Sequence, residues 1–173
     1  MASPPQYLTL KEHRDRSHRG ELVARRVLMG LLALLGLLGL ANVFGQSPQH
    51  STGTGAAATL EVSAPDRLRG GVFYQGRFEI HAQEEIEAAT LLLDSGWFES
   101  MHINSYSPEP VGTAFRNGML ALDYGHVAAG DTLVARLQFQ VNATNTGRRS
   151  QGVQLHDEDE PLAAVDRTVT IFP

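Results

Sequence analysis

Cysteine is absent from the 173 residues, which removes disulfides, thiolate metal sites, thiol nucleophiles and an acylated lipoprotein cysteine together. Any domain here holds by core burial alone. Lysine is nearly absent as well, with Lys11 against thirteen arginines, a bias that a GC-rich bacterial genome produces without any chemical cause. Long apolar runs are scarce too, and the one present dominates the architecture. The length suits one domain plus a tail on the usual prior of ~100 to 200 residues per domain.

Positive charge is missing from most of the chain. Residues 1–26 carry six basic and three acidic side chains, whereas residues 46–173 carry eight and sixteen, so a tail of +3 precedes a remainder of −8. Phosphate binding needs clustered Lys and Arg to replace released counterions. Nucleic acid is therefore excluded as a partner of the acidic part.

The apolar run is VLMGLLALLGLLGLANVFG, Val27 to Gly45, uncharged and with Asn42 its single polar side chain. Its nineteen residues approach the ~20 that cross a hydrocarbon core of ~30 Å. A lone segment in lipid must satisfy its own backbone, which only a helix does. Arg19, Arg25 and Arg26 precede the run and the first Lys or Arg after it is Arg67, so the positive-inside rule places residues 1–26 in the cytoplasm and the C-terminal part outside the plasma membrane. A cleaved signal peptide is the competing interpretation; its apolar region is normally ~7 to 15 residues with a small-residue site after it, and Val43-Phe44-Gly45 matches that site poorly.

Residues 46–58 are rich in Gly, Ser, Thr and Ala, a composition expected for a flexible linker. From Thr59 to the end, short runs alternate with turn formers such as Asn117-Gly118 and Ala129-Gly130-Asp131, the grammar of an all-β sandwich. The clearest strand is Asp131 to Asn142, where Leu133, Ala135, Leu137, Phe139 and Val141 alternate with more polar neighbours. Further strands are expected at Thr59–Ala64, Val72–Ala82, Ala88–Asp94, Trp97–Ile103, Met119–Tyr124, Gly152–Asp157 and Val165–Ile171. Arg167 falls on the apolar side of the last, with its head expected in solvent at the sheet rim.

The stretch LDYGHVAAGDTLVARLQFQVNATNTGRRSQGVQL, with Gly125, Val127 and Gly130 in a turn that feeds a long alternating strand, resembles the immunoglobulin-like repeat modules of bacterial cell-surface proteins. The resemblance covers about the last third of the chain. It implies an Ig-like antiparallel β-sandwich and carries no catalytic residue with it.

Chemistry is thin. No G-x-S-x-G elbow occurs, and His81, His102, His126 and His156 lie on separate segments without the two-histidine spacing of a metal site. Four adjacent carboxylates, Asp157, Glu158, Asp159 and Glu160, repel one another and need solvent or a cation to screen them. Calcium, an oxygen-seeking ion, is the candidate metal there, and a solvated hairpin tip accounts for the same composition. No other cofactor and no small-molecule substrate is indicated. Trp97, Phe98 and Tyr106, beside Pro108-Glu109-Pro110, form the candidate protein-contact surface; strand alternation exposes one of Trp97 and Phe98, while a sandwich core would claim the tryptophan. The expected function is a non-catalytic, membrane-anchored binding or scaffolding module for an envelope protein, the alternative being an accessory subunit of a larger membrane enzyme or transporter.

Overall fold

The computed structural model describes residues 12–41 and 46–173, in two units that divide between Gly45 and Gln46. Among the described residues the first contains one helix, α1, Glu12–Leu40. It starts well before Val27 because Glu, Arg, Leu and Ala propagate a helix readily once the apolar segment has nucleated it. The stretch long and apolar enough to cross a membrane is Gly20–Leu40. Its 21 residues extend about 31 Å at the helical rise, matching a hydrocarbon core of ~30 Å. Residues 42–45 of the expected span lie outside the described residues.

The second unit is built from strands β1 (Pro48–Thr54), β2 (Ala58–Pro65), β3 (Arg67–Arg69), β4 (Phe73–Ala82), β5 (Ala89–Leu93), β6 (Met101–Ser107), β7 (Gly112–Arg116), β8 (Met119–Asp123), β9 (Thr132–Val141), β10 (Gly147–Ser150), β11 (Val153–Asp157), β12 (Glu160–Val165) and β13 (Thr168–Phe172). Two five-stranded antiparallel sheets face each other, in the orders β1-β2-β4-β9-β6 and β12-β11-β5-β8-β7. A small third sheet, β10-β13-β3, includes the parallel pair β13 and β3. The result is a two-sheet β-sandwich preceded in sequence by an apolar helix, the all-β architecture that the alternation implies.

Period two decides what is buried. On β9, Ala135, Leu137, Phe139 and Val141 turn inward while Arg136 points to solvent. Register with β4 sets Phe78 opposite Ala135 and Ile80 opposite Leu133. Leu60 and Val62 of β2 continue that inner face, and Leu91, Leu93, Leu122, Val153 and Leu155 supply the opposing one. Burying a side chain of this kind contributes roughly 1.5–3 kcal/mol, which is how a chain without disulfides stays folded.

Three expectations are corrected. Residues 46–58 are not a tether, because β1 pairs along its whole length with β2, from Pro48↔Pro65 to Thr54↔Thr59. The glycines that suggested flexibility serve close approach. A Cβ on Gly53 would lie 2.0 Å from the Ala164 carbonyl oxygen and one on Gly55 1.8 Å from that of Leu162, so only glycine lets β1 lie against β12 of the other sheet. The domain therefore begins at Gln46 rather than Thr59. The strand expected at Trp97–Ile103 is a single 3-10 turn, Ser95–Trp97, followed by β6. Finally, Arg167 does not reach into solvent. It lies between β12 and β13, stacks its guanidinium 5.5 Å from the centre of the Trp97 ring, and donates to the carbonyls of Ala64 (2.8 Å) and Pro65 (3.2 Å). Its pKa is lowered by burial.

Candidate functional site

The turn at Ser95–Trp97 breaks strand alternation, and this separates the two neighbouring aromatics. Trp97 is fully buried, with the Phe78 and Phe139 rings at 5.1 and 5.2 Å. Its indole Nε1 donates to the Gln151 carbonyl at 3.0 Å, and the Gln151 side-chain amide donates in turn to the Tyr74 hydroxyl at 3.1 Å. Trp97 is thus a core residue and leaves the contact surface proposed for it. Burial pushes the Tyr74 hydroxyl pKa upward.

Phe98 stays at the margin. It is half-buried and meets Phe115 of β7 edge-on, with ring centres 5.3 Å apart. Phe115 is 69% exposed and Val111, just before β7, 76%. Tyr106 is half-buried on β6, and burial raises its pKa. Strands β6 and β7 each end their sheet, so one side of the sandwich combines two terminal strands with Phe98, Tyr106, Val111 and Phe115. Terminal strands present unpaired N–H and C=O groups, which can accept an added strand. The sequence supplied Phe98 and Tyr106; it missed Val111 and Phe115, whose exposure follows from β7 being an edge.

The acidic run forms the tip of the β11–β12 hairpin, with Asp157 opposite Glu160 and Glu158 in the left-handed region at φ 52°. Its carboxylates go separate ways. Asp157 Oδ1 accepts from the Ala88 N–H at 2.8 Å, and Asp159 Oδ1 meets Arg116 Nη1 at 3.1 Å. Among the described residues this run does not gather three ligand atoms around one point. The arrangement fits the solvated tip better than the calcium candidate.

His126 pairs with Glu85 at 2.8 Å and His156 with Gln154 at 3.1 Å, and among the described residues neither joins a group of three metal-ligating side chains. His81 is different. One ligand atom from each of Glu61, Glu79 and His81 lies within 4.8 Å of the others, on the outward face of the β1-β2-β4-β9 sheet. Two surface depressions have volumes of about 230 and 160 Å³, both below the ~300 Å³ at which pockets begin to enclose a drug-sized ligand.

No family model and no curated protein matches this sequence. Among solved structures, the chain is similar to a non-cellulosomal cohesin from the archaeon Archaeoglobus fulgidus at 13% identity, covering 73% of this chain and 92% of that one with a TM-score of 0.39. It is also similar to a CARDB domain from Pyrococcus furiosus, solved in complex with di-metal ions, at 10% identity, 73% and 94% coverage and a TM-score of 0.38. Likeness at this level concerns fold alone.

Proposed function

We propose that the protein is a membrane-anchored binding module of the cell envelope, in which α1 crosses the plasma membrane with Arg19, Arg25 and Arg26 on the cytoplasmic side and the sandwich outside captures a protein partner along its β6–β7 side. One observation carries the binding half: Phe115 of terminal strand β7, packed edge-on against Phe98, and Val111 just before that strand are both exposed. Leaving such side chains in water forfeits ~25 cal/mol per Å² of apolar surface, and a partner recovers it. The same argument supports the anchor, since Leu28, Leu31 and Leu32 of α1 are more than half exposed. Lipid covers them without any protein contact. The module has no catalytic role.

The test uses the full chain in its own membrane. Protease added to cells whose outer barrier has been opened should remove the sandwich and spare α1. A photo-crosslinking residue at position 115 should give a discrete adduct that Val111→Lys suppresses, while the same probe at position 84 gives none. A protected sandwich would overturn the topology. An adduct equally strong from position 84, or indifferent to Val111→Lys, would overturn the binding surface.

A further inference from the structure

The outward face of the first sheet carries a mixed donor set. Inward positions of β4 are taken by Phe78 and Ile80, both fully buried, so period two places Glu79 and His81 together on the outer face. Register then brings Glu61 of β2 directly opposite Glu79. Like charges directly opposite across two strands destabilise a sheet. Arg77 offsets one of them, its Nη2 lying 2.6 Å from Glu79 Oε2. Glu61 pairs with His50, which is charged only when protonated, so with a neutral His50 the two carboxylates outnumber the arginine paired with them.

Each of the three side chains is held by one atom and offers another. His81 Nδ1 is fixed at 2.8 Å from Thr132 Oγ1 on β9, which leaves Nε2 toward the carboxylates, 3.7 Å from Glu79 Oε1. Arg77 holds Glu79 through Oε2 and leaves Oε1 available. His50 Nδ1 on β1 holds Glu61 through Oε1 at 2.8 Å, leaving the second oxygen. Metal ligands are oriented this way, with a partner on the far atom fixing tautomer and rotamer.

We propose that Glu61, Glu79 and His81 form a site for a zinc-type divalent cation, with Thr132, Arg77 and His50 as positioning residues. Imidazole nitrogen and carboxylate oxygen are both zinc donors, and a zinc site open to solvent takes three protein ligands. Calcium would require 6–8 oxygens, and imidazole suits zinc and its neighbours instead. Zinc bonds of ~2.0–2.2 Å put tetrahedral ligands about 3.3 Å apart. Separations within 4.8 Å therefore leave at most about 1.5 Å to close on binding. Side-chain exposures of 34%, 19% and 46% for Glu61, Glu79 and His81 keep the site open to an ion from solution. The ion would neutralise the surplus carboxylate and tie β2 to β4.

The experiment is a zinc chloride titration of the tag-free full chain in detergent micelles by calorimetry, repeated with cobalt chloride to read the visible absorption of a low-coordinate nitrogen–oxygen site. One equivalent of zinc should bind, with Glu79→Gln and His81→Gln each weakening it at least ~10-fold. Thr132→Val, which keeps every ligand and charge, should weaken it about 10- to 100-fold, the usual effect of losing an outer-shell partner. His126→Gln should change nothing. Absence of zinc binding up to millimolar concentration overturns the site. So does binding that survives both Glu79→Gln and His81→Gln, since the ion would then sit elsewhere. Should a ligand variant fail to fold by circular dichroism, Thr132→Val decides alone, and unchanged affinity there overturns the proposal.

Discussion

Replacing Trp97 by phenylalanine tests whether the core is assembled as described. The indole is fully buried and its Nε1 donates to the Gln151 carbonyl at 3.0 Å, so phenylalanine leaves that buried acceptor without its indole partner, at about 1–3 kcal/mol. The lost ring atoms leave a void between Phe78 and Phe139 that relaxes only in part. Arg167, 5.5 Å from the ring centre, exchanges an indole face for the weaker cation–π face of a phenyl ring, where a whole contact is worth ~0.5–2 kcal/mol. These losses overlap, and about 3 kcal/mol is the expected total, a large share of the 5–15 kcal/mol that keeps a domain folded. Trp97 is the one tryptophan in the chain, so fluorescence vanishes with it and urea unfolding must be followed by far-UV circular dichroism. At ~2 kcal/mol per molar urea the midpoint should fall by about 1.5 M. Phe115→Ala, on an exposed side chain, should move it by less than ~0.3 M, equivalent to ~0.5 kcal/mol. A Trp97→Phe shift as small as that of Phe115→Ala would refute the placement of the indole.

Gly53→Val should destabilise the domain by about 1–3 kcal/mol, the usual cost of overpacking, because its Cβ has no room beside the Ala164 carbonyl; a thermal melt that matches wild type would mean that β1 does not lie against β12. Deleting residues 46–57 should lower the melting temperature by roughly 10 °C, at a few degrees per kcal/mol, since β2 loses its partner along the whole of β1; an unchanged melt would restore the segment to a tether. Burial raises the pKa of Tyr124 above its ordinary 10, with Tyr106 adding to the shift. The folded state thus keeps its proton when the unfolded chain has lost it, so this stability is fully present below pH 10 and falls as pH rises further, by up to about 1.4 kcal/mol per pH unit. Tyr124→Phe should flatten that alkaline slope at little cost near neutrality, because the hydroxyl is buried without a partner; an unaltered slope would assign the loss to another group.

What the sequence revealed was what one wet face and one dry face impose. Strands β2, β4, β9 and β11 alternate because each has a sheet neighbour on both sides and a core beneath. Strands β1, β3, β7, β10 and β12 went unrecognised because they are short or lie at sheet edges with mostly exposed side chains. β1 is the instructive case: PQHSTGT has the composition of a linker, yet its Gly53 is required by a carbonyl from a strand more than a hundred residues later. Composition reports how much apolar surface a segment can bury, and an edge strand held by ladder hydrogen bonds buries little. The turn at Trp97 escaped for another reason. Alternation assigned Trp97 and Phe98 to opposite faces of one strand, whereas a 3-10 turn carries the indole under both sheets.

The cluster at His81 shows where such reasoning meets its limit. Histidines paired at short spacing are a local signal, and none is present. The donors here are a carboxylate two residues from the imidazole in Glu79-Ile80-His81 and another from β2, a strand whose distance in sequence carries no information about its place in space. Only register connects them: Glu61 faces Glu79, and Thr132 faces His81. A slip of one residue between β2 and β4 would turn Glu61 toward the core and bring a buried leucine or valine outward. The hydrophobic pattern therefore forbids that slip, and in fixing Leu60 and Val62 inside it also fixes the acid outside. The same alternation that builds the core thus aligns two carboxylates and an imidazole on the opposite face, so the site is a consequence of the fold's register before any ion is considered.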